Sequence, residues 1–264
     1  MVKLFKNFDV AKEVKNIENQ IKEYFVQNGP ETKAVIGISG GKDSTIAAAL
    51  LVRALGADRV VGVLMPNGDQ SDIEDAYQVC SLLKIKYIEI NIKSTCDALY
   101  EQFQHAHIIY NDAILTNTPA RMRMTTLYAV AASVGGRVIN TGNRSELYIG
   151  YTTKYGDLAG DFSIWRNYYI TEVYAIGDYL GLPNNLVHKD PSDGMSGKTD
   201  EDRFGFTYEE LDNYLMHNIY PDYTKYKQIC QMHERNIHKE RTVNIPAVRQ
   251  WKYYSDNMND YEVF

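Results

Sequence analysis

The sequence predicts an α/β protein, a doubly wound parallel sheet followed by a C-terminal helical extension. Two observations lead to this fold class. Short apolar runs alternate with amphipathic helical segments along the first half of the 264-residue chain, which is typical of a parallel sheet assembled from β-α-β units. The apolar runs are also continuous and do not alternate with polar residues, as expected of strands that helices cover on both faces.

The predicted elements are placed by apolar spacing and by capping residues. We predict strands over 34–38, 59–65, 86–92 and 136–141. We predict helices over 9–27 with Asp9 as N-cap, over 44–56, over 71–84 with a Ser71–Glu74 capping box, from Ser94 onward, over 170–183, and over 207–217 with a Thr207–Glu210 capping box. No internal repeat and no second core is visible, so we predict a single domain over 1–264.

The composition argues against several classes of function. A formal net charge of −6 and a pI near 5.6 do not suit a nucleic-acid surface, which normally carries a basic stripe. The three cysteines lie far apart without a CxxC pair, so neither a disulfide framework nor a zinc knuckle is predicted. No apolar run reaches the roughly 18 residues of a membrane span. We expect a cytoplasmic protein that keeps its thiols reduced and binds no membrane.

The segment "GISGGKDST" (37–45) follows a predicted strand and opens a predicted helix. A glycine-rich turn in this position directs backbone N–H groups at an anion, and the helix dipole adds to the attraction. Asp43 cannot itself attract phosphate, so its expected role is to hold a divalent cation that bridges phosphate oxygens. The competing interpretation is a turn whose glycines serve packing alone.

Three polar segments follow predicted strands: "SGGKDS", "PNGDQ" and "TGNRSE". Parallel strands end at the same edge of a sheet, and ligands bind there near the switch in strand order. We therefore expect Glu146 to approach Asp43. The alternative for Glu146 is a first-turn carboxylate that the helix dipole favours.

The string "SGGKDST" resembles the pyrophosphate-binding loop of the N-type ATP pyrophosphatases. Further segments resemble ammonia-dependent NAD synthetase in the same order along the chain: "ARMRM" (120–124), "TGNRSELYIGYTTKYGD" (141–157), "GDYLGLP" (177–183), "KTDED" with "FGFTYEELD" (198–212), and "HKE" with "IP" (238–246). The resemblance implies a Rossmann-like fold of the adenine nucleotide alpha hydrolase type. It also implies a ligase that amidates deamido-NAD (nicotinic acid adenine dinucleotide) to NAD with ATP and ammonia, through an acyl adenylate, releasing AMP and pyrophosphate.

The resemblance also implies roles for individual residues, a magnesium ion and a homodimer with the dinucleotide at its interface. The implied magnesium ligands are Asp43, Glu146 and Asp157. The implied ATP contacts are Gly37, Ile38, Ser39, Gly40, Gly41, Lys42, Asp43, Ser44, Thr141 and Ser192. The implied deamido-NAD contacts are Arg121, Lys154, Asp161, His238 and Lys239. We expect Asp43, Glu146 and Lys154 to be the catalytic residues.

The chain departs from the family pattern in "DFSIWRNYYITEV", where Ile164 replaces a proline and Ile170 replaces a lysine that contacts ATP. We expect Lys198 to supply the missing charge, with Lys42 as the second choice. Lys198 lies in 189–206, a stretch with almost no apolar residues, which is usually functional or disordered at such a length. We predict that this stretch is a mobile lid over ATP.

Interpretations without a functional role remain open for several of these residues. Arg121 and Arg123 could merely flank a helix that Thr118 and Pro119 open, and being two apart they point to different sides. His238 alone would more often be a surface histidine.

Rival functions also remain open. One is a tRNA thiolase, which would need catalytic cysteines and a basic surface. Another is a GMP-forming synthetase. A third is a sensor that binds ATP but catalyses no reaction. A glutamine-dependent enzyme would need an additional amidase domain. The expected nitrogen donor is therefore free ammonia, or ammonia from a separate partner.

Overall fold

A computed structural model describes residues 4, 8–70, 73–188 and 199–240 of the chain. Its centre is a five-stranded, wholly parallel sheet with the strand order β3-β2-β1-β4-β5. The strands are β1 (Lys33–Gly37), β2 (Val60–Leu64), β3 (Lys86–Glu89), β4 (Gly136–Asn140) and β5 (Phe162–Ser163). Ala34 of β1 lies opposite Val60 on one side and Arg137 on the other, so β1 is the central strand.

Eleven α-helices surround the sheet or follow it within the described residues. They are α1 (Val10–Asn28), α2 (Lys42–Leu55), α3 (Ile73–Leu83), α4 (Lys93–His105), α5 (Asp112–Val134), α6 (Arg144–Ile149), α7 (Ile170–Tyr179), α8 (Asn184–Val187), α9 (Asp200–Phe204), α10 (Tyr208–His217) and α11 (Tyr223–Asn236). None of the helices in the described part of the chain is long and apolar enough to cross a membrane.

Both faces of the central strands β1, β2 and β4 are largely buried, as the continuous apolar strands predict. Ala34 and Ile36 point into a core that they share with α1, α2, α3 and α7. Val35, between them, points to the other face and packs in a core with α4 and α5. A third apolar cluster joins the end of α6 to α9, α10 and α11. The doubly wound sheet and the C-terminal helical extension are thus confirmed.

The strand order places the switch in winding direction beside β1. The chain builds outward from β1 to β2 and β3, and then crosses through α4 and α5 to β4 on the opposite side of β1. The connections that leave the carboxyl ends of β1 and β4 therefore run in opposite directions and open a crevice between them. The segments 38–41 and 141–143 are these two connections.

Several predicted boundaries need correction. Strand β3 is exposed along its whole length, because it lies at the sheet edge, so it is not covered on both faces. Helix α5 does not open at Thr118 and Pro119. It begins at Asp112, because the Asn111 side chain caps it by accepting a hydrogen bond from Ile114 N, and Pro119 lies inside the helix.

The predicted lid divides into two parts. Residues 189–198 lie outside the described residues. Residues 199–206 hold helix α9, capped by Thr199, and its following turn, with Phe204 and Phe206 both 2 % exposed in the third apolar cluster. The second part is therefore anchored to the domain.

Two of the three predicted helix caps lie wholly within the described residues. The N-cap at Asp9 and the Thr207–Glu210 capping box are present. Ser71 of the other predicted box lies outside the described residues.

Candidate active site

The loop after β1 is braced by its own hydroxyl groups. Ser39 N donates to Ser44 Oγ at 3.3 Å, and Gly41 N donates to Ser39 Oγ at 3.2 Å. Ser44 Oγ and Thr45 Oγ1 both donate to Gly41 O, at 3.1 and 2.8 Å. The hydroxyl residues of "GISGGKDST" thus fix the shape of the turn that leads into α2.

Gly40 is needed where the loop meets α3. Its φ angle is +77°, which L side chains rarely adopt. A Cβ atom at this position would lie 2.7 Å from Asp75 Cβ and 3.0 Å from Ala76 N. The loop therefore lies directly against the start of α3, and any side chain at position 40 would push it away.

The loops after β1 and β4 line one cavity of about 200 Å³. The residues that line it are Ser39, Gly41, Asp43, Ser44, Thr141, Gly142, Glu146 and Asp157. The cavity lies at the carboxyl ends of β1 and β4, where the strand order switches direction. The three carboxylates that the sequence analysis selected as magnesium ligands thus share one cavity.

Asn143 connects two of these carboxylates. Its side-chain Nδ2 donates to Asp43 Oδ1 at 3.1 Å, and its Oδ1 accepts from Glu146 N at 3.0 Å. Its own backbone N donates to Glu146 Oε2 at 3.3 Å, which completes a capping box at the start of α6. Asn143 is fully buried, so one residue holds both carboxylates, that of Asp43 through its side chain and that of Glu146 through its backbone N.

The electrostatics of this pair suit a divalent cation. Burial, followed by the charge of Asp43, raises the pKa of Glu146 well above its ordinary value, although Lys42 acts in the opposite direction. A dication would relieve this repulsion between two carboxylates. The buried hydroxyl of Tyr208, within electrostatic range of both, has no hydrogen-bond partner among the described residues.

The number of carboxylates near the loop also fits magnesium. Within the described ranges, there is no group of three or more His, Cys, Asp or Glu side chains that could hold a metal ion, so a metal here would have only one or two protein carboxylates as ligands. Magnesium commonly binds proteins through only one or two carboxylates and completes its shell with substrate phosphates and water. Asp43 and Glu146 meet that need. Asp157 faces the same cavity but is held by Thr153 N, which donates to its Oδ1 at 2.7 Å.

Lys42 points inward and not to solvent. Its side chain is 6 % exposed, and its Nζ lies 3.1 Å from Asp43 Oδ2. The ammonium also lies 5.6 Å from the centre of the Tyr174 ring and 6.0 Å from that of Tyr208. Burial lowers the pKa of Lys42, but Asp43, Tyr174 and Glu146 outweigh burial and raise it above its ordinary value. Lys42 is therefore a buried cation.

Four of the five expected dinucleotide contacts gather around the segment 150–157. Arg121 Nε donates to Lys154 O at 3.2 Å, and Lys154 Nζ donates to His238 O at 3.0 Å. Lys239 Nζ donates to Gly150 O at 2.7 Å and to Thr152 O at 2.9 Å. This basic cluster of Arg121, Lys154, His238 and Lys239 adjoins the cavity through Asp157, whose charge acts on Lys239.

The fifth expected contact, Asp161, is engaged with the sheet. Its Oδ2 accepts a hydrogen bond from Val138 N of β4 at 2.7 Å, and its Oδ1 accepts from Tyr128 of α5 at 3.2 Å. Both carboxylate oxygens thus have structural partners.

Helix α11 holds the start of the segment 150–157, around which this basic cluster gathers. His233 Nδ1 donates to Tyr148 O at 2.7 Å, and Asn236 Nδ2 donates to Ile149 O at 3.1 Å. The approach is so close that a Cβ atom at Gly150 would lie 2.1 Å from Asn236 Cβ. The end of α6 and the start of 150–157 are therefore fixed from the C-terminal side.

A comparison with protein families decides the relationship. The sequence profile of the family described as NAD synthase matches residues 13–250. The chain belongs to the NAD synthase family.

Relatives of this NAD synthase family member cover most of its length. It is 38 % identical over 243 residues to the NH(3)-dependent NAD(+) synthetase of Thermococcus sibiricus, an alignment that covers 91 % of this chain and 89 % of the relative. It is 41 % identical over 192 residues to the protein of the same name from Pyrococcus furiosus, with 72 % and 74 % covered.

Solved structures share its fold. An NMN synthetase from Francisella tularensis superposes with a TM-score of 0.83 and 33 % identity, covering 92 % of this chain and 100 % of the other. The NH3-dependent NAD synthetase from Campylobacter jejuni superposes with a TM-score of 0.74 and 32 % identity, covering 90 % and 99 %.

Three residues of this family member's site escaped the sequence analysis. Asn143 could have been found, because Asn followed three residues later by Glu is a capping-box signal. Trp165 Nε1 donates to Asp43 O at 3.0 Å, and Asp212 accepts from Ser145 Oγ at 2.5 Å. Neither had a local signal, since each acts on a residue far away in the chain.

The positions that depart from the family pattern are buried. Ile164 is 5 % exposed and Ile170 is fully buried, and Ile170 N donates to Ser145 Oγ at 3.0 Å. Ser192 and Lys198, the remaining expected ATP contacts, lie outside the described residues, so the preferred replacement for the missing lysine stays a prediction.

Proposed function

We propose that the protein is an ammonia-dependent NAD synthetase that amidates deamido-NAD with ATP and ammonia. The observation that carries the proposal is the shared cavity of Asp43 and Glu146 beside the "SGGKDS" loop, at the switch point of the sheet. Its relatives, named NH(3)-dependent NAD(+) synthetase, match it over most of their length. Alternatives such as a thiolase or an ATP-binding sensor have no comparable support.

ATP would bind with its phosphates against the loop. The N-terminus of α2 favours the negative charge of the departing pyrophosphate. Asp43 and Glu146 would hold a magnesium ion, which when bound supplies positive charge to the phosphate oxygens. Asn143 keeps both carboxylates in place for that purpose, donating from its side chain to Asp43 and from its backbone N to Glu146. Such phosphoryl chemistry depends on positioning and charge neutralisation more than on a protein nucleophile.

The reaction balances without a covalent enzyme intermediate. A nicotinate carboxylate oxygen attacks the α-phosphorus of ATP, the bond to the β-phosphate oxygen breaks, and pyrophosphate leaves. Ammonia then attacks the acyl carbon, the bond to the AMP oxygen breaks, and the proton lost by nitrogen passes to solvent or AMP. The basic cluster would bind the dinucleotide phosphates by charge. Within this cluster, Lys154 would be the catalytic residue. Asp161 would make a further contact with the dinucleotide.

A homodimer with the dinucleotide at its interface belongs to this proposal, as does a cytoplasmic location. The buried, unbridged Cys80 and Cys96 are compatible with a reducing compartment. Size-exclusion chromatography with light scattering measures the oligomeric state, and a monomer at the concentration of the activity assay would contradict the homodimer.

The test is incubation with deamido-NAD, ATP, magnesium and ammonium, with detection of NAD, AMP and pyrophosphate. Asp43→Asn should lower turnover by about a hundredfold or more in a protein that still folds, which a thermal melt checks. Asp97→Asn is the matched control, because Asp97 is exposed and pairs with Lys93 at the surface. Equal turnover of Asp43→Asn and Asp97→Asn at saturating magnesium would refute the role of Asp43. ATP binding without pyrophosphate release would favour the sensor.

Nicotinate mononucleotide is a second candidate acceptor. The superposition on an NMN synthetase covers the whole of that chain with a TM-score of 0.83, and the amidated group of the mononucleotide is the same nicotinate. The ratio of kcat/KM for the two acceptors decides between them. We expect deamido-NAD to be preferred, and a higher kcat/KM for the mononucleotide would replace it as the substrate.

A further inference from the structure

We infer that Lys42 is the resident counter-ion of the Asp43–Glu146 pair, and that a divalent cation bound there competes with its ammonium charge. The inference rests on the proposed function in one respect, the use of these carboxylates for a metal. It adds a role for Lys42 that differs from phosphate binding. Lys42 would set how strongly the site holds a metal before the nucleotide arrives.

The position of Lys42 supports this role. The cavity is lined by its neighbours Gly41 and Asp43 but not by Lys42 itself. The side chain turns behind Asp43 and places Nζ 3.1 Å from Asp43 Oδ2, between α7 and α10. The tyrosine rings beside it, Tyr174 and Tyr208, offer aromatic faces that suit a cation. An ammonium in this position is held by the protein and is not presented to a ligand in the cavity.

The charges around Lys42 explain why it is buried. Asp43 and Glu146 lie on the cavity side, and Asp212 lies within electrostatic range from α10. The two oxygens of Asp43 have different partners: Oδ1 accepts from the neutral amide of Asn143, and Oδ2 faces the charged Lys42. Carboxylates of like charge that are partly shielded from water, as Asp43 and Glu146 are, repel one another unless a cation is close. Lys42 supplies that cation while no metal is bound.

The same arrangement opposes a metal that binds alone. A dication bound to Asp43 with a metal–oxygen distance of about 2 Å would lie on the order of 5 Å from the Lys42 ammonium, whose Nζ is 3.1 Å from Asp43 Oδ2. Even with the dielectric constant of water, repulsion between charges of +2 and +1 at that distance weakens binding by roughly tenfold. The phosphates of ATP bring additional negative charge and offset this repulsion. The site would therefore take up magnesium together with the nucleotide in preference to free magnesium.

The test measures metal affinity without turnover. Mn²⁺, which reports on a magnesium site by its electron paramagnetic resonance signal, is titrated into wild type, Lys42→Met and Lys42→Arg in the absence of nucleotide. Methionine keeps the length of the side chain and removes the charge, whereas arginine keeps the charge. We expect Lys42→Met to bind Mn²⁺ on the order of tenfold more tightly than wild type and Lys42→Arg to remain within about threefold of it.

The outcomes separate the inference from the proposed function. Equal or weaker Mn²⁺ binding by Lys42→Met, with normal binding by wild type, overturns the role of Lys42 and leaves the metal site standing. Failure of wild type to bind Mn²⁺ both with and without ATP overturns the metal site and the inference together.

A second measurement covers the case in which Lys42→Met does not fold. In wild type labelled with nitrogen-15 lysine, the buried Lys42 ammonium resonance is followed during a Mg²⁺ titration, with Lys42→Arg serving to assign it. We expect the Lys42 resonance to shift as Mg²⁺ binds, because Asp43 would then bind the metal ion in place of the Lys42 ammonium. An unmoved resonance at saturating Mg²⁺ contradicts the competition.

Discussion

Asp212 should make the free energy of unfolding depend on pH, and the variant Asp212→Asn should lack this part of the dependence. This residue is fully buried, and it accepts hydrogen bonds from Ser145 Oγ, from Thr171 N at 3.0 Å and from Thr171 Oγ1 at 2.8 Å. Burial raises its pKa from 3.8 to about 6, although the hydrogen bonds and the charge of Lys42 lower it in part. The folded protein therefore holds this proton more tightly than the unfolded chain does.

The sign and size of the effect follow from that difference. When the folded pKa exceeds the unfolded one, the contribution to stability is fully present below the unfolded pKa and is lost as pH rises through the folded pKa. A rise from 3.8 to about 6 corresponds to about 3 kcal/mol in total, of which about 2 kcal/mol falls between pH 4 and pH 7. Asp212→Asn removes this titration and keeps an acceptor oxygen in place.

The assay is urea unfolding of wild type and Asp212→Asn at several pH values between 4 and 7. We expect the free energy of unfolding of wild type, relative to the variant, to fall by about 2 kcal/mol over this range. Both proteins should retain a shared decrease from Glu172, whose pKa burial raises to about 7. A difference between the two proteins that is the same at pH 4 and pH 7 would refute the reasoning.

Two further substitutions test the support of the site. Asn143→Ser keeps a hydroxyl acceptor for Glu146 N but loses the donor to Asp43, so kcat should fall by about tenfold with little change in Tm. Steady-state kinetics and a thermal melt measure these two effects, and an unchanged kcat would contradict the prediction. Trp165→Phe removes the Nε1 donor to Asp43 O and should lower the free energy of unfolding by about 1–3 kcal/mol. Denaturant unfolding measures that loss, and a change below about 0.5 kcal/mol would show that the bond to Asp43 is not needed.

The parts of the site that could be predicted are those that follow from the sheet. Asp43 and Glu146 are far apart in sequence, yet each comes directly after a strand of a parallel sheet, and such strands end at one edge. The capping boxes were equally accessible, because their residues interact over three positions. Thr207 was identified in this way, and Asn143 carried the same signal.

The parts that could not be predicted depend on contacts between distant helices. Lys42 stands at the first position of α2, where many side chains reach solvent, and its inward direction is decided by Tyr174 and Tyr208. The start of α5 was misjudged because the Asn111 cap outweighs the local signal of a Thr-Pro pair. Residues 199–206 looked too polar to pack, but two phenylalanines are enough to anchor them.

The hold of α11 on the end of α6 has a consequence for how the protein is made. Synthesis from the N-terminus completes the loop of Asp43 and the strand before Glu146 well before it reaches α11. His233, Asn236 and Lys239, which fix the backbone from Tyr148 to Thr152, leave the ribosome close to 100 residues later. A nascent chain thus carries the loop of Asp43 long before the segment beside it is fixed. The segment that adjoins Asp43 and Glu146 is therefore fixed only after α11 has been synthesised.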